Sequence, residues 1–250
     1  MLANFLIVGT QKGGTTALAS FLATHPQISF SREKELHFFD QNRRYFNKAG
    51  EPNYDLYSSM LDARDGALAI GEATPIYMYL PEVAERLHAY NPKLKLISIL
   101  RDPRHRAYSH YRMEVERGNE SLSFADAIAR EQERIRGDVL SNPAATRRLF
   151  SYIDRGFYAH QIKHLLKYFK KEQLLVLRNE DLSGDHDNTL RQVYDFLLLD
   201  RIAPPEPRRV FQQTYSAMPD DIKVQLTKVY ANDTEELESM FGWKLDSWRE

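Results

Sequence analysis

Thr10-Gln11-Lys12-Gly13-Gly14-Thr15-Thr16 follows the apolar run Phe5-Leu6-Ile7-Val8 and precedes Ala17-Leu18-Ala19-Ser20-Phe21-Leu22, an order that reads as strand, phosphate loop and helix. Paired glycines let the backbone curl without a Cβ clash. The N–H groups of Gly13, Gly14, Thr15 and Thr16, at the opening of a helix, can converge on one set of anionic oxygens. Lys12 adds a mobile positive charge beside them. A lysine, two glycines and two hydroxyls between a buried strand and a helix make the pattern specific.

Outward from this stretch, strand-like runs at 4–8, 67–70, 94–100 and 174–177 alternate with helical patterns at 15–24, 81–90, 103–117, 124–136, 158–169, 190–197 and 220–240. Apolar strands separated by helices predict an α/β fold: a three-layer parallel sheet with helices on both faces and a P-loop-like anion-binding loop. Ligands in such sheets bind at the carboxyl ends of the strands, and both Lys12 and Arg101 follow strand ends. The 250 residues suffice for one core, and the expectation is a single domain over 1–250. A net charge of −1 gives no broad basic field, so nucleic acid is not an expected partner. The absence of cysteine removes disulfides, thiolate chemistry and cysteine-based zinc sites. No signal-like segment opens the chain and no apolar run approaches the ~20 residues that span a bilayer, so the expectation is a cytoplasmic protein without a membrane partner.

The nucleotide-triphosphatase loop places its lysine after the second glycine. Here Lys12 precedes the glycines, and ATPases with an early lysine need a second one where this chain has Ala17 and Leu18. The chain at this point resembles the sulfotransferases that use 3′-phosphoadenosine 5′-phosphosulfate (PAPS). A donor with a 3′-phosphate needs a second anion site, and Arg101-Asp102-Pro103-Arg104-His105-Arg106-Ala107-Tyr108-Ser109 follows the strand-like 94–100 with Pro103 suited to a first helical turn. A guanidinium fork and a hydroxyl suit a dianionic phosphate. The resemblance implies that Arg101 and Ser109 bind the 3′-phosphate, and that Lys12, Gly13, Gly14, Thr15 and Thr16 bind the 5′-phosphosulfate.

Lys34-Glu35-Leu36-His37-Phe38-Phe39-Asp40 is similar to the Glu-x-His-Phe-Phe-Asp element of heparan-sulfate-type sulfotransferases and their bacterial natural-product tailoring relatives. There the glutamate is the general base. A free carboxylate titrates near about 4.3, and Leu36, Phe38 and Phe39 are expected to raise Glu35 by desolvation. His37, with an ordinary value of about 6.5, is the rival base. The catalytic candidates are therefore Lys12, Glu35 and His37. His105, His110 and Glu114 are imaginable as metal ligands, but no metal is expected: a sulfuryl group carries one negative charge where a phosphoryl carries two, and a lysine with oriented amides meets it.

Two departures bear on the acceptor. Gly71-Glu72-Ala73-Thr74-Pro75 has Ala73 where many heparan-sulfate-type enzymes carry lysine, and only Arg208 and Arg209 stand in for the family's late basic loop. The resemblance implies transfer from PAPS, with PAP as product, to a hydroxyl of a small molecule, a bacterial natural product. The alternatives are an ATP- and magnesium-dependent phosphoryl-transfer enzyme with a deviant loop, and a non-catalytic nucleotide-binding module. Tyr158 is a further candidate for the cleft wall and Asn179 for an adenosine contact, while Trp243 and Trp248 read as packing residues.

Overall fold

In a strand covered on both faces every side chain must be apolar or small, and Phe5-Leu6-Ile7-Val8-Gly9 meets that condition with all five residues buried. The computed structural model describes residues 2–136, 146–207 and 216–250. Arg208 and Arg209 lie outside the described residues. In chain order the elements are β1 (Phe5–Gly9), α1 (Thr15–Leu22), β2 (Ile28–Phe30), α2 (Asn42–Tyr45), α3 (Tyr54–Met60), β3 (Ala69–Ala73), α4 (Pro81–Tyr90), β4 (Lys95–Leu100), α5 (Pro103–Glu116), α6 (Phe124–Ala129), α7 (Glu131–Ile135), α8 (Thr146–Phe150), α9 (Tyr158–Leu165), β5 (Leu174–Arg178), α10 (Asn179–Gly184), α11 (His186–Leu197) and α12 (Asp220–Phe241). They fall into two compact units, Met1–Leu100 with His164–Gln212 and Arg101–Lys163 with Gln213–Glu250.

The first unit holds a five-stranded sheet in the order β2-β3-β1-β4-β5, every pair parallel. Phe5 and Ile7 of β1 and Ile97 and Ile99 of β4 share one apolar core with Leu18 and Leu22 of α1 and Leu190 and Val193 of α11. The alternate residues Leu6, Val8, Leu96 and Leu100 are just as buried, so neither face of these strands meets water. Gly71 permits the close pairing of β3 with β1, because a Cβ there would overlap the Phe5 carbonyl oxygen. Past Ile7 the β1–β4 register slips, Gly9 sits opposite Ser98, and the Thr10 N–H donates to the Ile99 carbonyl at 3.0 Å. The strand thus delivers the chain into the loop from the middle of the sheet.

β2 was not legible as a strand: three residues at a sheet edge offer too short an apolar pattern, and the Arg64 N–H bonded to Ser29 Oγ at 3.0 Å supports it from outside. In the second unit, α5, α6 and α12 bury Tyr108, Tyr111, Phe124, Ile128, Leu226 and Tyr230 in a separate aromatic-rich core. The expected helix over 124–136 is two helices that break at Arg130 (φ −95°, ψ 0°). Glu131 turns inward there and accepts the N–H groups of Ile153 and Asp154 at 2.6 and 2.7 Å.

Candidate active site

The loop after β1 is held in a shape few residues adopt. Lys12 lies at φ 66° and Gly14 at φ 108°, both in the left-handed region. Gly13 donates its N–H to the Thr10 carbonyl at 2.9 Å, which closes the turn. Its contribution is room: a Cβ on Gly13 would overlap the Ile99 carbonyl and Thr10. Among the described residues no side chain caps α1. The first-turn N–H groups of Thr15 and Thr16 therefore have no intrahelical acceptor, and the helix dipole adds positive potential to them. Asn179, expected at an adenosine, has its side-chain amide against Gly14, where a Cβ would collide with it.

Beside the loop runs a chain of polar contacts. Lys34 Nζ donates to Thr16 Oγ1 at 2.5 Å and to Glu35 Oε1 at 2.9 Å. His37 Nε2 lies 3.7 Å from Glu35 Oε2, and His37 Nδ1 lies 3.0 Å from Asp40 Oδ2. Sequence explains the orientation. Leu36, Phe38 and Phe39 are buried, with Phe38 packed 4.6 Å from the Tyr57 ring and 5.1 Å from the Tyr45 ring. Glu35 and His37 remain outward at 36 % and 28 % side-chain exposure, while Asp40 is fully buried.

This alternation also needs unusual backbone, Glu35 at φ 58° and His37 at φ 55°. Glu72 holds it. The fully buried Glu72 carboxylate accepts the Leu36 N–H at 3.3 Å and the hydroxyls of Thr74, Tyr77 and Tyr57 at 2.6, 2.9 and 3.2 Å. Thr74 Oγ1 in turn accepts the His37 N–H at 3.5 Å. Burial raises the Glu72 pKa, opposed by those hydroxyl donors. Of the four described non-glycine residues with positive φ, three are Lys12, Glu35 and His37. Strain of this kind persists where surrounding contacts over-determine it, and it collects at working sites.

The charge state corrects the expectation for both candidate bases. Burial is the largest influence on Glu35 and does raise its pKa, but hydrogen bonds from His37 and Lys34 and their charges together outweigh it, leaving the pKa at about 2. Burial lowers His37, and the bonds and charges of Asp40 and Glu35 overcome that and lift it to about 9. At neutral pH the raised pKa keeps His37 an imidazolium, its Nδ1 donating to Asp40 at 3.0 Å and its Nε2 lying 3.7 Å from Glu35, with no lone pair for a proton. Glu35 is an ionised carboxylate held by Lys34 at 2.9 Å.

In the second unit Arg101 follows directly on β4, and Asp102 caps α5 by accepting the Arg104 N–H at 2.9 Å. Arg101 lines a cleft of about 240 Å³ with His105, Tyr108, Ser216, Met218 and Lys223. Ser109 is 2 % exposed, and no hydrogen bond joins it to Arg101 among the described residues. Tyr158, expected in a cleft wall, is fully buried and donates its hydroxyl to the Arg101 carbonyl at 2.9 Å. It fixes the backbone of Arg101 instead. Trp248 packs 6.2 Å from the Tyr158 ring and Trp243 stacks 4.6 Å from Phe241, both as packing residues. Of the residues considered as metal ligands, His105 pairs with Asp102 at 2.9 Å and His110 lies 3.9 Å from Glu114.

Sequence reading gave no role to Lys34, Asp40, Glu72 and Thr74. Lys34 sits next to Glu35 in sequence, where side chains on regular backbone diverge. The left-handed turn that brings the two together leaves no mark in composition. Glu72 had a signal, an acid inside the apolar stretch 69–73, which a buried strand tolerates only with partners.

A parallel sheet with a glycine loop at the carboxyl end of its central strand, and an ionised carboxylate hydrogen-bonded through lysine to that loop, make this an α/β protein whose loop has the shape to hold an anionic group. Comparison with known proteins narrows the class. The family described as "Sulfotransferase domain" matches residues 2–218. The chain is 26 % identical to the membrane-associated sulfotransferase kil1 of Dictyostelium discoideum, covering 97 % of this chain and 67 % of that protein. It is 33 % identical to heparan sulfate glucosamine 3-O-sulfotransferase 6 of Homo sapiens over 79 % of this chain and 52 % of that protein. The crystal structure of a sulfotransferase from Alicyclobacillus acidocaldarius superposes with a TM-score of 0.83 at 32 % identity, covering 100 % of both chains. This chain belongs to the sulfotransferase family. It spans about half the length of the human 3-O-sulfotransferases it matches. Among the described residues no helix is long and apolar enough to cross a membrane.

Proposed function

We propose that this protein transfers a sulfuryl group from PAPS to a hydroxyl of a small-molecule acceptor of the natural-product class, releasing PAP. The observation that carries the reading is the hydrogen-bonded run Thr16–Lys34–Glu35, which makes the anion loop and an ionised carboxylate one contiguous site. The loop fits a phosphosulfate: glycines where a Cβ would collide, an uncapped helix start and a lysine in the left-handed region. PAPS supplies a sulfuryl group on a good leaving phosphate. Thr15, Thr16 and Gly14 orient the anion, and Lys12 neutralises the charge that develops on the departing phosphate oxygen. Glu35 takes the acceptor's proton. Arg101 and Ser109 are assigned to the 3′-phosphate on the resemblance of their spacing, with Arg101 held by Tyr158. Ala73, buried in β3, offers no cation where polysaccharide-type relatives have one, which favours a small, uncharged acceptor.

PAP at about 100 times its Kd, without added magnesium, should stabilise the protein by about 2.7 kcal/mol and raise its melting temperature by about 5–10 °C in differential scanning fluorimetry. Stabilisation by ATP with magnesium and none by PAP would replace this reading with phosphoryl transfer.

A further inference from the structure

Lys34 is the residue through which loop and carboxylate touch, and both of its contacts are with groups whose surroundings change when an anion fills the loop. Its ammonium donates to Thr16 Oγ1 and to Glu35 Oε1, and the side chain is 42 % exposed, free enough to swing on its four-carbon stem. We propose that Lys34 is a cofactor-responsive positioning residue: with the loop empty its ammonium clamps Glu35, and with a phosphosulfate in the loop the ammonium turns to the anion and releases the carboxylate. The inference rests on the proposed use of PAPS.

Charge and geometry support it. Glu35 faces two cations, Lys34 at 2.9 Å and the His37 imidazolium at 3.7 Å. His37 is pinned from behind by the buried Asp40 at 3.0 Å and keeps its place whatever fills the loop. Lys34 has no buried counter-charge of this kind; it lies between a carboxylate and a neutral hydroxyl. An anion at Thr16 carries more charge than one carboxylate and sits beside that hydroxyl, so it competes for the ammonium directly. A carboxylate clamped by two cations is a weak base, and release from one of them strengthens it. Glu35 thereby becomes an effective proton acceptor on the loaded enzyme, when the sulfuryl group is present to be attacked.

The test follows the Glu35 carboxyl by NMR. Glutamate is labelled with carbon-13 at the side-chain carboxyl, the Glu35 signal is assigned with Glu35→Gln, and its titration is followed from about pH 1.5 to 8 in the wild type, Lys34→Gln and Lys34→Arg, each with and without saturating PAP. Binding of PAP is measured separately by calorimetry. In the free wild type the Glu35 midpoint should lie at about 2. In free Lys34→Gln the midpoint should lie about one pH unit higher, the low end of the effect expected of a neighbouring charge in this half-exposed setting. PAP should move the midpoint up in the wild type and in Lys34→Arg by more than it does in Lys34→Gln. Equal PAP-induced movements in wild type and Lys34→Gln, with PAP bound to both, overturn the role of Lys34 and leave the proposed function standing. Failure of PAP to bind the wild type overturns both.

Discussion

Glu35→Gln should lose about 10²–10⁴ in turnover with a hydroxyl acceptor while its affinity for PAP stays near that of the wild type. The amide keeps the shape and the hydrogen bond from Lys34 but cannot take a proton. His37 does not substitute, because the bond and charge of the buried Asp40, which the substitution leaves in place, favour its protonated form. The pH profile separates the two residues. Glu35 in the wild type is ionised down to about pH 2, so no acidic limb belongs to it in the ordinary assay range. His37→Ala removes one cation and leaves burial less opposed, so the Glu35 pKa rises and an acidic limb should enter that range. Activity retained in Glu35→Gln and abolished in a folded His37→Ala would reverse the assignment.

The same pair affects stability with a definite sign. Glu35 is depressed on folding, so its contribution is present above about 4.5 and is lost as pH falls through about 2. His37 is raised, so its contribution is complete below about 6.5 and is lost as pH rises through about 9. Both are fully present only between those inner limits. A His37 variant should therefore flatten the alkaline side of the melting-temperature profile.

Lys12→Ala should reduce turnover by about 10²–10³, the usual effect of removing one donor aimed at developing charge in a preorganised anion site. PAP affinity should fall less, because the helix start, Thr15, Thr16 and Gly14 still hold the ground-state anion. Steady-state kinetics beside calorimetric titration of PAP gives both numbers. Turnover near that of the wild type would remove Lys12 from the chemistry, and an equal loss in binding and turnover would make it a ground-state anchor.

The parts legible in sequence are those that short patterns determine. The five-residue apolar β1 followed by Lys12-Gly13-Gly14 fixed strand, loop and helix in order, and the runs 94–100 and 174–177 located β4 and β5 to within a residue or two. β2 and the break at Arg130 were not legible, because a three-residue edge strand and an inward-turning Glu131 depend on partners distant in sequence. The candidate bases were legible and their ionisation was not. Leu36, Phe38 and Phe39 in the motif point to an apolar setting, and they do bury the segment, but the outcome is decided by Lys34 and His37, the latter held by Asp40, which meet Glu35 through two left-handed residues. Glu72 acts on that same turn from β3, more than thirty residues away in sequence, by accepting the Leu36 N–H.

The positive φ values at Lys12, Glu35 and His37 set stability and activity in opposition at single positions. A side chain at such a φ costs roughly 1–2 kcal/mol that glycine avoids. At these sites glycine should be better tolerated by the fold than alanine, reversing the order expected at a regular helix or strand position. Glu35→Gly and Glu35→Ala, both without a carboxylate, should differ by about 1 kcal/mol in unfolding free energy from urea titration, in favour of glycine, and a difference favouring alanine would show the turn to be relaxed. Selection for stability alone would drift these positions toward glycine or asparagine, so a lysine, a glutamate and a histidine held there mark a site where retained chemistry opposes thermal robustness.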